Sequence, residues 1–167
     1  MGHAEKVVDV TDGDTFVLLN GEKVRMIGIN APEESDIFGI EATNYLSGLI
    51  LNKEISLLSD EIGKDRDRYG RLLRYAFLDS VDINKKMIEY GYAFAYLKYK
   101  FSKDDEYRNA QINAQKFGYG IWGNAQKPQE SENEVAKKEV PMSNNLIMLI
   151  IGIVILIGVG IKAMVSQ

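Results

Sequence analysis

Apolar and polar positions change period several times along the first 123 residues. Thr15–Leu19 (TFVLL) and Val24–Ile29 (VRMIGI) are two apolar runs joined through Asn20-Gly21. That dipeptide tolerates positive φ at both turn positions, so the pattern predicts a β-hairpin. Glu54–Ser59 (EISLLS) and Arg71–Leu78 (RLLRYAFL) read as further strands. Phe38–Asn52 carries Ile40, Tyr45, Leu46, Leu49 and Ile50 close to helical spacing. Val81–Gly91 (VDINKKMIEYG) predicts a short helix stopped by its glycine. Lys103–Gly118 predicts another, with acids in the first turn, a lysine near the end and a glycine stop. Regular strand–helix alternation is absent. The order therefore predicts an α+β fold, mainly a small β barrel with helices attached.

The pattern changes beyond Gly123. Residues 124–145 contain almost nothing apolar and read as a solvated linker. Residues 146–161 are 16 unbroken apolar residues, followed by Lys162, Ala163, Met164 and Val165. A spanning helix takes about 20 apolar residues, and a lysine near its end can snorkel to the interface. The expected organisation is a domain at 1–123, a linker at 124–145 and a transmembrane helix at 146–165 anchored in a lipid bilayer. Gly152, Gly158 and Gly160 do not form GxxxG, and the protein is expected to be a monomer. The first ten residues show no apolar signal-peptide core. Lys127, Lys137 and Lys138 flank the linker side of the span, against Lys162 on the far side. Positive residues favour the inside, which places the domain in the cytoplasm, with an extracytoplasmic domain as the alternative.

Composition narrows the chemistry. There is no cysteine, which excludes disulfides, thiolate metal sites and a cysteine nucleophile. The one histidine, His3, lies at the terminus, so a histidine triad or a multi-histidine zinc site is not expected. Catalysis must use carboxylates, arginines, hydroxyls or a hard metal ion. The net charge of −4 lies entirely in residues 1–123, so an anionic partner would have to be drawn by a local patch.

Three stretches supply candidates. Asp12-Gly-Asp14-Thr15 sets two carboxylates before a strand, although alone it reads as an ordinary Asp-Gly turn. Val24–Glu34 (VRMIGINAPEE) puts Arg25 and Glu33 at opposite ends of an apolar run, with Asn30 between them. Residues 64–74 carry a local charge of +3 around Tyr69, which suits phosphate and base contact as well as a plain solvated turn. Together they hold the parts that phosphodiester hydrolysis needs: oxygen ligands for a hard cation, arginines for growing charge, and a base for water.

The order DGDTF, VRMIGINAPE, FGIEA, DRYGR, GYAFAYLKYK and GIW, over Val7–Trp122, resembles the staphylococcal-nuclease (thermonuclease) family. The resemblance implies an OB-fold five-stranded barrel with about three helices. It also implies calcium-dependent cleavage of DNA and RNA that leaves 3′-phosphate ends. Arg25 and Arg71 match the phosphate-gripping arginines and Glu33 the catalytic glutamate. Asp14 matches a calcium ligand, Asn30 and the Ala31 carbonyl take the other ligand positions, and Asp12 is the acid behind them. Arg68, Tyr69 and Tyr99 match the substrate pocket. Asn30 stands where the family has an aspartate and Ala31 where it has a threonine, so weaker calcium binding is expected. Residues 34–38 are too few for the family's long lysine-rich loop. The expected function is a membrane-anchored, metal-dependent nuclease acting on nucleic acid. The alternative is a catalytically silent module that binds nucleic acid or protein at the membrane.

Overall fold

A computed structural model describes residues 4–123. His3, the linker and the expected membrane span lie outside the described residues. Strands β1 (Ala4–Asp12), β2 (Thr15–Leu18), β3 (Lys23–Met26), β5 (Glu54–Leu58) and β6 (Leu72–Leu78) form a closed barrel in the order β3-β2-β1-β5-β6. Neighbours pair antiparallel except at the seam, where β6 runs parallel to β3 with Val24 beside Leu72 and Met26 beside Arg74. This is the OB-type barrel the sequence predicts. Helices α1 (Gly39–Ile50), α2 (Ile83–Glu89) and α3 (Asp104–Phe117) attach to it.

Asn20-Gly21 makes the expected hairpin. Gly21 has φ +84°, and the Glu22 N–H donates to Asn20 Oδ1 at 3.0 Å. The hairpin strand β2 stops at Leu18, and Leu19 is exposed. The expectation for the hairpin arm Val24–Ile29 needs correcting, because that apolar run is not one strand. β3 ends at Met26, and the chain turns at Ile27-Gly28, where Gly28 has φ +73°. A Cβ there would meet the Phe101 ring at 2.6 Å, so only glycine admits this close approach. Beyond the turn, β4 (Ile29–Asn30) pairs with β8 (Phe94–Ala95) in a separate two-stranded sheet, with Asn30 opposite Phe94. The short β7 (Val81–Asp82) extends the barrel sheet.

Phe16, Leu18, Val24, Met26, Ile55 and Ala76 fill the core. Each helix buries one face over it, and α1 does so with Ala42, Leu46 and Ile50. Ile40, counted on that face from spacing alone, is instead exposed. The parallel seam carries one buried polar side chain, Asn84. Its Nδ2 donates to Ile27 O and Arg74 O, and its Oδ1 accepts from the Ala76 N–H at 3.0 Å. Every polar atom of that amide is thus satisfied, which makes its burial tolerable. Asp82 caps α2 by accepting from the Lys85 N–H and also takes the Tyr107 hydroxyl and Lys103 Nζ. It thereby ties α2 to α3.

Candidate active site

The site grows from the turn between β1 and β2. Gly13 presses this turn against Ala31 and Ala42; an added Cβ would lie 2.6 Å from one and 2.8 Å from the other. The Asp14 N–H donates to Asp12 Oδ1 at 2.9 Å, and Asp14 itself is buried. Asp14 Oδ2 accepts from the Ala31 N–H and from Arg25 Nη2, both at 2.9 Å. Its Oδ1 accepts from the buried Thr15 hydroxyl at 3.0 Å. That hydroxyl in turn accepts from Arg71 Nη1 at 3.3 Å. Arg71 Nε lies 2.8 Å from Asp67 Oδ2. A continuous chain of bonds, Asp67–Arg71–Thr15–Asp14–Arg25, therefore fixes both arginines around one buried carboxylate.

The two guanidiniums are held differently. Arg25 Nη1 donates to Met26 O and Ile29 O, and Nη2 reaches Asp14 Oδ2 and, at 3.3 Å, Asn30 Oδ1. Its terminal nitrogens are thus engaged by the protein. Arg71 Nη2 has no partner among the described residues, and Arg71 lines a groove of about 780 Å³. Arg25, Asn30, Arg68, Tyr69, Tyr96, Lys98 and Tyr99 share that groove. Tyr69 and Tyr99, two of its lining residues, expose about two thirds of their surface, 67% and 64%. Arg68 stacks on Tyr69 at 4.7 Å.

The basic stretch at 64–74 is less free than its charge suggests. Arg66 makes a fork to Glu22 at 2.7 and 3.0 Å, Arg74 pairs with Asp65 and Arg71 with Asp67. Lys64 and Arg68 have no carboxylate partner among the described residues.

Glu33 stands apart from the chain of bonds. It lies on the exposed loop between β4 and α1, and its carboxylate has no partner among the described residues. It borders a second depression with Ala31, Pro32, Phe94 and Ile121. Asn30 lines both concavities and is where they meet. Gly39 sets the loop, since a Cβ there would sit 1.8 Å from Glu33 O.

Burial pushes the Asp14 carboxyl up to about 6, with the charge of Asp12 adding to it, against the pull of Arg25. One guanidinium therefore leaves this carboxylate short of compensation. Asn30 Oδ1 shares Arg25 Nη2 with Asp14, and the Ala31 and Asp12 groups bond around the same turn, so the polar atoms gathered here are oxygens of the kind hard cations take. For Asp67, burial works against the charge. Hydrogen bonds from the Arg71 side chain and the Tyr69 and Arg71 N–H groups outweigh it and hold the carboxyl below its usual value.

The family model for staphylococcal nuclease homologues matches residues 23–124. The chain belongs to the staphylococcal nuclease family. It is a nuclease-class hydrolase acting on ester bonds. It is 39% identical over 121 residues to an uncharacterized endonuclease of Haemophilus influenzae, covering 70% of this chain and 65% of that one. It is 32% identical over 129 residues to a thermonuclease of Staphylococcus hyicus, covering 71% and 75%. A micrococcal nuclease of Shigella flexneri is 32% identical over 137 residues, covering 74% and 76%. Asp12 and Asp14 precede the family-model match, so their place rests on the bonds described above.

In this staphylococcal nuclease relative, sequence reasoning missed Thr15 as a bridge, Asp67 as the partner of Arg71, and Tyr96 as a groove aromatic. Tyr96 lies 6.0 Å from Tyr99 between ring centroids. Its signal was the alternation in Ala95-Tyr96-Leu97-Lys98-Tyr99. Thr15 left no signal of its bond to Arg71, 56 positions away, whereas Asp67 stands four residues before Arg71 in DRYGR and was legible from that spacing.

Proposed function

We propose that the protein is a calcium-dependent nuclease, tethered to a membrane through residues 146–165, that hydrolyses phosphodiester bonds of DNA and RNA to 3′-phosphate ends. The observation that carries this reading is the bonded chain from Asp67 to Arg25, which fixes two arginines of one groove around a buried carboxylate. Asp14, Asn30 Oδ1 and Ala31 O would hold the ion, with Asp12 behind them. When bound, calcium would polarise the phosphodiester.

The chain's own residues divide the remaining work. Arg71 offers Nη2 to a phosphate oxygen, with its guanidinium plane fixed by Asp67 and Thr15. Arg25 reaches the phosphate by exchanging its bonds to Asp14 and Asn30. Glu33, exposed and unpaired among the described residues, accepts a proton from the attacking water. The water oxygen bonds to phosphorus as the bond to the 5′ oxygen breaks, and the departing oxygen takes a proton from solvent, leaving a 3′-phosphate and a 5′-hydroxyl. Tyr69 and Tyr99 give faces for the flanking bases, and Arg68 adds charge beside them.

Membrane tethering rests on the 16-residue apolar run, and a cytoplasmic domain on the lysines of the linker side. Full-length protein in detergent, given single-stranded DNA or RNA with calcium and then with chelator, tests the chemistry. Calcium-dependent cleavage to 3′-phosphate ends is expected. Tight binding without cleavage would establish a silent nucleic-acid-binding module instead.

A further inference from the structure

A strip of aromatic rings lies outside both concavities. Tyr92 stacks on Tyr45 with centroids 4.2 Å apart, and Tyr45 meets Tyr90 at 5.8 Å. Tyr90 continues to Tyr119 at 6.4 Å and Tyr119 to Phe117 at 5.8 Å, with ring planes within 20° and 26° of parallel. Tyr45 and Tyr92 are partly buried and anchor the strip. Tyr90, Tyr119 and Phe117 expose 47%, 49% and 61% of their surface. Isolated exposed aromatics need no explanation, but a contiguous row of them marks a contact surface.

Charge narrows the partner. Lys86 lies 5.0 Å from the centre of the Tyr90 ring, and Lys116 5.5 Å from that of Phe117. Neither lysine has a carboxylate partner among the described residues, and the nearby Glu89 is taken by Lys85 at 3.6 Å. In a chain of net charge −4, this surface thus carries unpaired positive charge beside flat rings. Flat faces suit bases and the lysines suit phosphates. The strip also leads toward the active site. Two residues beyond Tyr92, Phe94 pairs directly with Asn30 and borders the depression beside Glu33.

We propose that the ring strip from Tyr92 to Phe117 is a secondary track that binds single-stranded nucleic acid extending from the active site. The proposal rests on the nuclease reading for its ligand. A strand crossing the site at Asn30 stacks its outlying bases on Tyr90, Tyr119 and Phe117, while Lys86 and Lys116 follow its phosphates. Long strands therefore bind more tightly than short ones that occupy the groove alone.

The test uses full-length protein in detergent with chelator present, so that no substrate is cut. Fluorescence anisotropy measures binding of oligothymidines of about 5 and about 30 nucleotides, lengths either side of a single-fold footprint. In the Tyr119→Ala/Phe117→Ala variant, affinity for the long strand is expected to fall about tenfold, with the short strand unchanged. Calcium-supported cleavage of the short strand should also be unchanged. Lys86→Ala with Lys116→Ala should reduce the salt dependence of long-strand binding by roughly 0.7 per lysine. If the alanine pair lowers the melting midpoint, Tyr119→Leu/Phe117→Leu keeps the bulk and removes only the flat faces. Equal losses on both lengths, or none on either, would overturn the track. So would variants that keep strand binding but lose binding to vesicles containing phosphatidylserine, which would make the strip a lipid contact. A wild type that binds strands of both lengths equally removes the track and leaves the nuclease reading standing; one that binds neither removes the track, and failure to cleave the short strand with calcium is what removes the nuclease reading.

Discussion

Arg71 and Asp67 show how a single residue's worth depends on what holds it. The Arg71 fork is fixed at Nε by Asp67 and at Nη1 by Thr15, so in the proposed reaction its free Nη2 would meet a phosphate without reorganising. Lysine in its place is a point charge without that fork. Turnover of Arg71→Lys is expected to fall at least about 10²-fold, with a lower melting midpoint because the bonds to Asp67 and Thr15 are lost, and that of Glu33→Gln by a similar factor with its midpoint unchanged. Near-normal kcat/KM in either variant would mean the wrong groups have been assigned. Asp67 carries a second expectation. Its carboxyl is held below its usual value of 3.8, so it stabilises the folded state above about pH 4, and this contribution is lost as pH falls further. Asp67→Asn should melt lower than wild type near neutral pH, and the two curves should converge below about pH 4. A gap that stays constant down to acid would show that the ion pair contributes nothing. At Asn30, an aspartate would restore the missing negative charge. It would also hold Arg25 more firmly, but a divalent ion gains more from that charge than one guanidinium does. Calorimetric titration should therefore show Asn30→Asp binding calcium about tenfold more tightly, a gain of ~1.4 kcal/mol. Unchanged affinity would separate Asn30 from the metal.

Between elements, the site depends on close approaches that leave little trace in a sequence. The hairpin at Asn20-Gly21 and the three helices were legible because turn chemistry and apolar spacing are local. β1 was not, because of its nine residues only Val7 is fully buried and the rest read as a polar segment. The break at Ile27-Gly28 was hidden inside an apolar run, since Gly28 is required by the Phe101 ring 73 positions later. Asp14, Arg25 and Arg71 were legible from motif order, and Asp67 stands four residues before Arg71 in the same motif, whereas Thr15 reaches Arg71 through a bond that forms only on folding. Gly39 belongs with Thr15. Gly39→Ala would drive its Cβ into Glu33 O and push the loop outward. The expected result is a loss of turnover of about tenfold or more, by misplacing Glu33, together with a lower melting midpoint. Full activity in this variant would show that the position of Glu33 is not limiting.

For the whole molecule, placement is the open expectation. Protease added to intact cells, or to spheroplasts where a wall blocks access, should leave the nuclease domain intact until the membrane is lysed. Digestion without lysis would assign the domain to the outside, and recovery of full-length protein in the soluble fraction would remove the anchor. The barrel itself bears on how such an enzyme is tolerated by the cell that makes it. Its seam joins β3 to β6 in parallel, sealed by Asn84, and Thr15 meets Arg71 across 56 residues of sequence. Ile121 closes later still, on Gly91 O at 2.9 Å. Pairings this distant in the chain form slowly and cannot begin before their second partner has been synthesised. A nascent chain therefore carries Asp14 and Arg25 without Arg71 until residue 71 has been made, and without the closing contact of Ile121 until the domain is nearly complete. On the function proposed above, the messenger RNA being read meets no finished site until then.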